Sequence, residues 1–474
     1  MSGWAAPAAV RRAAHRRHAR LNLRKAVRMA FYAGVRPVMA AALAATYRRV
    51  RRRASERFPR RGPVILVANH PAAWADVVAL GALLGRPLHF LAHAYQFRPW
   101  PRRVVVSMWG TLPVYESDRE APDERNEETF RRCEALLEQG EVVAVFPEGV
   151  SRLDRGVMPL RLGAARLALT AAARSEGRSP VLIPVGLHFA DRTAAGSDLT
   201  LSIGMPIPVP RLVTLDPSLL EAEAVRLTDR MREAIGSLIV DVPCPRLASL
   251  IRILEPVAAG NREALELEEA RKLGAALGAL FSERPADLER LERRAVEWER
   301  ARAALGISPR ALAGTDSRPE RPRRVQALAV LGALLGAVPA LAGAVLHIVP
   351  AVLGWASATR FRSVPQRIPF ARMTAGLASW VLVMTAVWLA ARALGGGGRE
   401  SVAALLGGVL LALFAGEYGA WLAPPHERIR LALLERTRPD LVRRARERYE
   451  DLAADVRTLR AVATRRLPAR GTGP

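Results

Sequence analysis

The sequence predicts an α/β fold, a central sheet flanked by helices over residues 60–210, with membrane-associating segments before and after it. Three observations lead there. Short β-branched runs (PVILVA, RVVVSMWG, EVVAVF, VLIPVGLHF, LTLSIG) recur between helix-patterned stretches such as ETFRRCEALLEQG, the alternation of strands with helices packed on them. Long apolar segments then occupy much of residues 325–423. Finally, 50% of the 474 residues are hydrophobic, yet 71 basic residues stand against 45 acidic, a formal net charge of +26. That combination suits anionic lipid or a phosphorylated substrate as partner. Nucleic acid is the rival for a basic chain, but the arginines lie on no recognisable nucleic-acid motif. With only Cys133 and Cys244, disulfide scaffolds and cysteine-rich zinc sites drop out. The histidines other than His70 show no ligand spacing, so no metal site is expected, and they read as structural or surface residues.

In chain order, residues 1–59 predict a basic arm and a membrane-interface helix. Residues 1–25 are rich in Ala and Arg and contain no acid, which fits either a targeting segment or an arm lying on anionic lipid. Residues 26–47 are apolar but interrupted by Arg28, Arg36 and Pro37, the pattern of a helix lying in the interface. The block RRVRRR (48–53) is then expected among headgroups. After the α/β domain, residues 211–324 read as a charged helical connector. Residues 325–358 form one apolar run containing Pro339 and Pro350. As a single helix it would be roughly 50 Å long, against a hydrocarbon core of about 30 Å. A re-entrant segment or two paired short helices is therefore expected there, followed by spans at 374–391 and 401–423. With that return, the loop carrying Arg360, Arg362, Arg367 and Arg372, the α/β domain and the tail all face the cytoplasm. The tail, 424–474, reads as basic amphipathic helix split at Pro439, lying on the membrane or pairing with another helix.

Two short stretches carry chemistry. In VANHPAAWADVVAL (67–80), an apolar strand ends at Asn69-His70, and five residues separate His70 from Asp76. A neutral imidazole is the natural general base near neutrality, and a carboxylate on its other nitrogen fixes the tautomer and stabilises the imidazolium. Taken alone, the pair fits a polar strand end with Asp76 capping the next helix better. In FPEGVSR (146–152), Gly149 permits an unusual backbone angle, Ser151 offers a hydroxyl, and Arg152 could fork onto a phosphate. Alone, that too is an ordinary strand-to-helix loop.

Together, in this order and at this spacing, the two stretches resemble the glycerolipid acyltransferase family. Asn69, His70 and Asp76 match its first block, and Phe146 to Arg152 match its third without a mismatch. Ile183-Pro184-Val185 match its fourth. The resemblance covers residues 60–210. The apolar C-terminal third, NEETF (126–130) and PLRLGAARLAL (159–169) are similar to the subgroup that acylates glycerol-3-phosphate or dihydroxyacetone phosphate. Three departures stand out. The His-to-Asp gap is five residues where four is commonest, a length the subgroup shares. Glu116 stands where the second block has an arginine, with Arg119 nearby, and Arg161 replaces the subgroup's lysine. The resemblance implies an integral-membrane enzyme of phospholipid biosynthesis. His70 would be its base and Asp76 its orienter, with Asn69, Glu148, Gly149, Ser151, Arg152 and Arg161 around the substrate. The donor would be acyl-CoA or acyl carrier protein, the acceptor a phosphorylated glycerol, and no metal or redox cofactor is called for. Two alternatives stay open: another lysophospholipid or a non-phosphorylated acceptor, which Glu116 favours, and an inactive lipid-binding scaffold.

Overall fold

The computed structural model describes residues 8–98, 100–115, 124–151, 156–175, 177–190, 196–242, 244–260, 265–313 and 323–466. The chain divides into two compact units, the second made of residues 239–474 with the short segments 153–156 and 190–198, and the first made of the remainder.

The first unit runs α1 (Ala8–Thr46), β1 (Arg49–Arg53), β2 (Val64–Ala68), α2 (Trp74–Leu83), β3 (Leu88–His93), α3 (Trp100–Met108), β4 (Leu112–Val114), α4 (Glu124–Glu138), β5 (Val142–Val145), α5 (Gly163–Arg174), β6 (Val181–Phe189), β7 (Asp198–Ile203) and α6 (Pro217–Gly236). Its seven strands form one sheet in the order β1-β7-β6-β2-β5-β3-β4. β2 lies parallel between β5 and β6, with Val67 opposite both Val145 and Pro184. β5 pairs parallel with β3, and β7 is antiparallel to β6. Every residue of β2 and of β5 is buried, as expected of central parallel strands covered on both faces.

Two expectations change here. RRVRRR was expected among headgroups, yet Arg49–Arg53 is an edge strand of the sheet. Its charges suit an edge, where they discourage pairing with another chain. The α/β domain was expected to end near 210, yet α6 belongs to the first unit. Ala224, Leu227, Met231 and Ile235 are buried at three- and four-residue spacing, the apolar stripe of a helix covering a sheet. Arg166 on α5 also pairs with Glu221 on α6, its Nε 2.9 Å from Oε2. α1 is fastened to α2 as well. Tyr32 Oη donates to the Gly81 carbonyl at 2.8 Å, Arg36 Nε donates to Ala82 O at 3.1 Å, and Met39 and Leu43 are buried. With Arg52 donating to Leu83 O, three side chains satisfy three successive carbonyls at the C-terminus of α2.

The second unit holds α7 (Pro245–Ala259), α8 (Leu267–Glu283), α9 (Pro285–Leu305), α10 (Pro309–Ala313), α11 (Arg323–Thr359), α12 (Ile368–Ala393), α13 (Gly398–Thr437) and α14 (Pro439–Arg466). α11 is one continuous 37-residue helix, in place of the expected re-entrant or paired segment. Each proline removes a single intrahelical bond, which neighbouring helices can offset. α12 packs against α11, and Ser357 donates to Ala371 O across the pair at 3.1 Å. α13 approaches α11 so closely at Gly343 that a Cβ there would collide with the Leu411 carbonyl. α13 also continues past the expected span end at 423 to Thr437, taking in the first part of the predicted tail. The split at Pro439 is where α14 starts. Of the tail's two expected fates, α14 takes the second, pairing with other helices. Val442, Ala445, Tyr449, Leu452 and Val456, alternating three and four apart, are buried in a core with Leu273, Leu277, Leu291 and Trp298 of the connector helices. Among the described residues, Ala26–Thr46, Leu334–Thr359 and Ile368–Ala393 are long and apolar enough to cross a membrane.

Candidate active site

The site forms where two parallel neighbours end. β2 and β5 run side by side, so the turn after Ala68 and the loop after Val145 leave the sheet at the same edge, where α/β sheets bind ligands. His70 and Phe146 meet there, their rings stacked at 4.0 Å between centroids and 15° apart.

His70 Nδ1 lies 2.8 Å from Asp76 Oδ2. The carboxylate can only accept, so Nδ1 carries the hydrogen and Nε2 keeps its lone pair. Asp76 is fully buried, in the first turn of α2, and the same Oδ2 accepts a 2.7 Å bond from the Ala72 N–H. One oxygen thus joins the histidine ring to the turn that leads into α2, although the N-cap position itself is Ala73 and not Asp76. Between His70 and Asp76 the chain makes a tight turn in which Ala73 adopts φ 50°, a conformation costly for a residue with a Cβ. The Ala73 N–H donates to Ser151 Oγ at 3.0 Å, so the third block's serine braces the first block's turn.

Asn69 is buried, and its amide faces the sheet. Its Nδ2 donates to Leu187 O at 2.9 Å, and Oδ1 accepts from Leu187 N at 2.7 Å. The turn is therefore pinned to β6 through Asn69. In the β5 loop, Gly149 has φ +72°, and a Cβ there would lie 2.6 Å from Arg161 Nε. The missing side chain is what lets the exposed Arg161 lie against the loop, and Arg161 N donates to Pro147 O at 2.8 Å. Glu148 is buried. Arg152, Glu116 and Arg119 lie outside the described residues.

His93, grouped in the sequence with structural or surface histidines, is at the site. At the end of β3, its Nε2 donates to the Gly149 carbonyl at 2.7 Å, and its ring stacks on Tyr95. The sequence signal is positional: His93 closes the strand beside β5, which is readable only once strand order is known. Among the described residues, no group of three His, Cys, Asp or Glu is placed to hold a metal ion.

Residues 49–188 match the family model "Acyltransferase". The chain is 34% identical over 84 residues to glycerol-3-phosphate O-acyltransferase 2 of Saccharomyces cerevisiae, which amounts to 18% of this chain and 11% of that protein. It thus spans only a small part of that relative. Among solved structures it is similar to the 1-acyl-sn-glycerophosphate acyltransferase PlsC of Thermotoga maritima, at 17% identity and a TM-score of 0.32, covering 44% of this chain and 80% of that one.

Proposed function

We propose that residues 49–188, which match the acyltransferase family model, form a glycerolipid acyltransferase domain, and that the chain moves a fatty acyl group from acyl-CoA or acyl carrier protein to a hydroxyl of glycerol-3-phosphate or lysophosphatidate. The observation that carries the proposal is the His70–Asp76 bond at the carboxyl edge of β2, braced by the β5 loop.

His70 Nε2 takes the proton from the acceptor hydroxyl as its oxygen attacks the thioester carbonyl. The buried Asp76 carboxylate stabilises the imidazolium that results. The tetrahedral centre collapses, the thiolate leaves, and the proton on His70 goes to the thiolate. No covalent enzyme intermediate is required. Arg161, lying on Gly149, and Arg152 supply positive charge for the acceptor phosphate. His93 holds the Gly149 carbonyl and so sets the loop on which these groups depend.

Membrane association follows from the three apolar helices. The continuous α11 removes the return on which the sequence-based topology rested. The tail helix α14 and the connector helices share one core, and we assign both to the cytoplasmic side from their excess of arginine. We propose the cytoplasm as the side of the catalytic residues as well.

Purified full-length protein in lipid, given labelled acyl-CoA and a panel of acceptors, tests the proposal. Glycerol-3-phosphate or lysophosphatidate should be acylated, and His70→Ala should abolish it in a folded protein. Acylation of neither by wild type refutes the acceptor assignment. Running Glu116→Arg beside wild type tests the reading that Glu116 selects an acceptor without phosphate, because relief of charge repulsion should then raise turnover of phosphorylated acceptors.

A further inference from the structure

α3 presents its apolar face outward. Val106 is packed at 2% exposure, whereas Trp100, Val104 and Met108 are 76%, 47% and 41% exposed. Spaced four apart, these three lie one above another on a single face of the helix. Arg98 and Arg103 are exposed close by. A contiguous apolar stripe rimmed by charge marks an interaction surface, and an amphipathic helix with an interfacial tryptophan and flanking arginines fits a lipid surface in particular.

The position of α3 within the first unit supports that partner. Trp109, directly after the helix, packs over Gly81 together with Met39 and Tyr32 of α1. The next residue, Gly110, has its carbonyl 2.9 Å from His89 Nδ1, and Arg28 of α1 bonds the same ring. The C-terminal end of α3 is therefore fixed beside α1, whose residues Ala26–Thr46 are themselves long and apolar enough to enter a membrane. At the other end, α3 follows the strand that closes on His93, which bonds the catalytic loop at Gly149. One short helix thus connects the flank of a membrane-seeking helix to the rim of the site.

We propose that α3 lies in the headgroup layer of an anionic phospholipid bilayer, with Trp100, Val104 and Met108 inserted and Arg98 and Arg103 among the phosphates. Arginine on both sides of the stripe, in a chain of net charge +26, favours anionic lipid over a second copy of this equally basic chain. The surface rests on the membrane association read above and is independent of which acceptor is acylated. In this arrangement the helix seats the catalytic rim on the lipid surface, where acyl chains reside.

The test reads immersion and not turnover, so its failure is distinct from failure of the acyl-transfer reading. In full-length Cys244→Ser protein reconstituted into vesicles, cysteines at Trp100, Val104 and Met108 carry nitroxide labels. Val213→Cys, at a position 99% exposed, serves as the water-facing reference. Collision rates with oxygen and with a water-soluble nickel chelate are compared in phosphatidylcholine with and without phosphatidylglycerol. All three α3 labels should favour oxygen over the chelate several-fold, more so in anionic vesicles, while the label at 213 favours the chelate. Arg98→Gln with Arg103→Gln should erase the preference for anionic lipid. Labels that match the 213 reference overturn the proposal. So do labels shielded from both reagents, which would mean that protein covers the stripe.

Discussion

The sharpest consequence of the site geometry concerns Asp76→Asn. Two donors, the Ala72 N–H at 2.7 Å and the His70 Nδ1–H at 2.8 Å, converge on one carboxylate oxygen. In the variant they select the amide oxygen for that place, because an amide NH2 there would face both hydrogens. The tautomer of His70 and the turn are kept, and what goes is the negative charge. Unit charges about 4 Å apart interact by about 4 kcal/mol at an effective dielectric of about 20. A transition state with the proton roughly half transferred to His70 therefore loses about 2 kcal/mol, or about thirtyfold in kcat. His70→Ala, which removes the base itself, should cost roughly 10²–10⁴-fold. The assay is single-turnover acyl transfer from labelled donor to the preferred acceptor in lipid, with thermal unfolding as the check on folding. Asp76→Asn should retain acceptor KM and unfold within a few degrees of wild type. If its kcat lies within threefold of wild type while His70→Ala is inactive, Asp76 only caps α2 and the orienting role is wrong.

Three further outcomes follow. Gly149→Ala places a Cβ at positive φ, costing about 1–2 kcal/mol of stability, and pushes Arg161 off the loop. Acceptor KM should then rise more than kcat falls for a phosphorylated acceptor, and an unchanged KM would separate Arg161 from the phosphate. Asn69→Ala leaves the Leu187 N–H and carbonyl without their partner, costing roughly 1–3 kcal/mol per buried group. Its unfolding temperature should drop clearly while the surviving folded enzyme keeps wild-type acceptor KM, whereas a raised KM would restore Asn69 to the substrate's neighbours. The Cys133 thiol is fully buried, and burial pushes its pKa up from 9.0 to about 12. The unfolded chain ionises first as pH rises, so this contribution is complete below pH 9 and is lost between 9 and about 12. Cys133→Ala should flatten that part of the stability profile, and in wild type a thiol reagent at pH 8 should modify Cys244 well before Cys133.

How much of this was legible in the sequence depends on which residues act locally. The sheet, His70, Asp76 and the Gly149 loop were readable because strand-end motifs remain strand-end features whatever the strand order. The partners of Asn69 and His93, Leu187 on β6 and Gly149 after β5, were not readable because they are neighbours only through the order β6-β2-β5-β3. That order pairs strands far apart in sequence, and no local pattern encodes it. α6 was read as connector because its exposed face is charged, although Ala224, Leu227, Met231 and Ile235 already marked a stripe to be buried. α11 was read as broken by weighing its length against a bilayer, a constraint on tilt and depth that leaves helix continuity untouched.

The structure also explains why the two sequence blocks are informative only together. Each was weak alone, since a histidine at a strand end or a glycine in a loop has many ordinary uses. In the fold they are one mechanical unit. The turn that carries His70 contains a strained Ala73, and Ser151 accepts its N–H from the other block. The His70 ring rests on Phe146, also from the other block. Asn69 ties the same turn to the strand on the far side. An imidazole held from the β5 side, the β6 side and by its own helix has few orientations left, which is the condition the proposed proton transfer needs. Ser151 need not be spent by this. A hydroxyl can accept from Ala73 and still donate its own hydrogen to a bound oxygen, so one residue can brace the turn and sense the acceptor at once. Ser151→Ala should therefore lower kcat through a loosened His70 even for acceptors without phosphate, whereas loss of Arg161 should discriminate among acceptors by their charge.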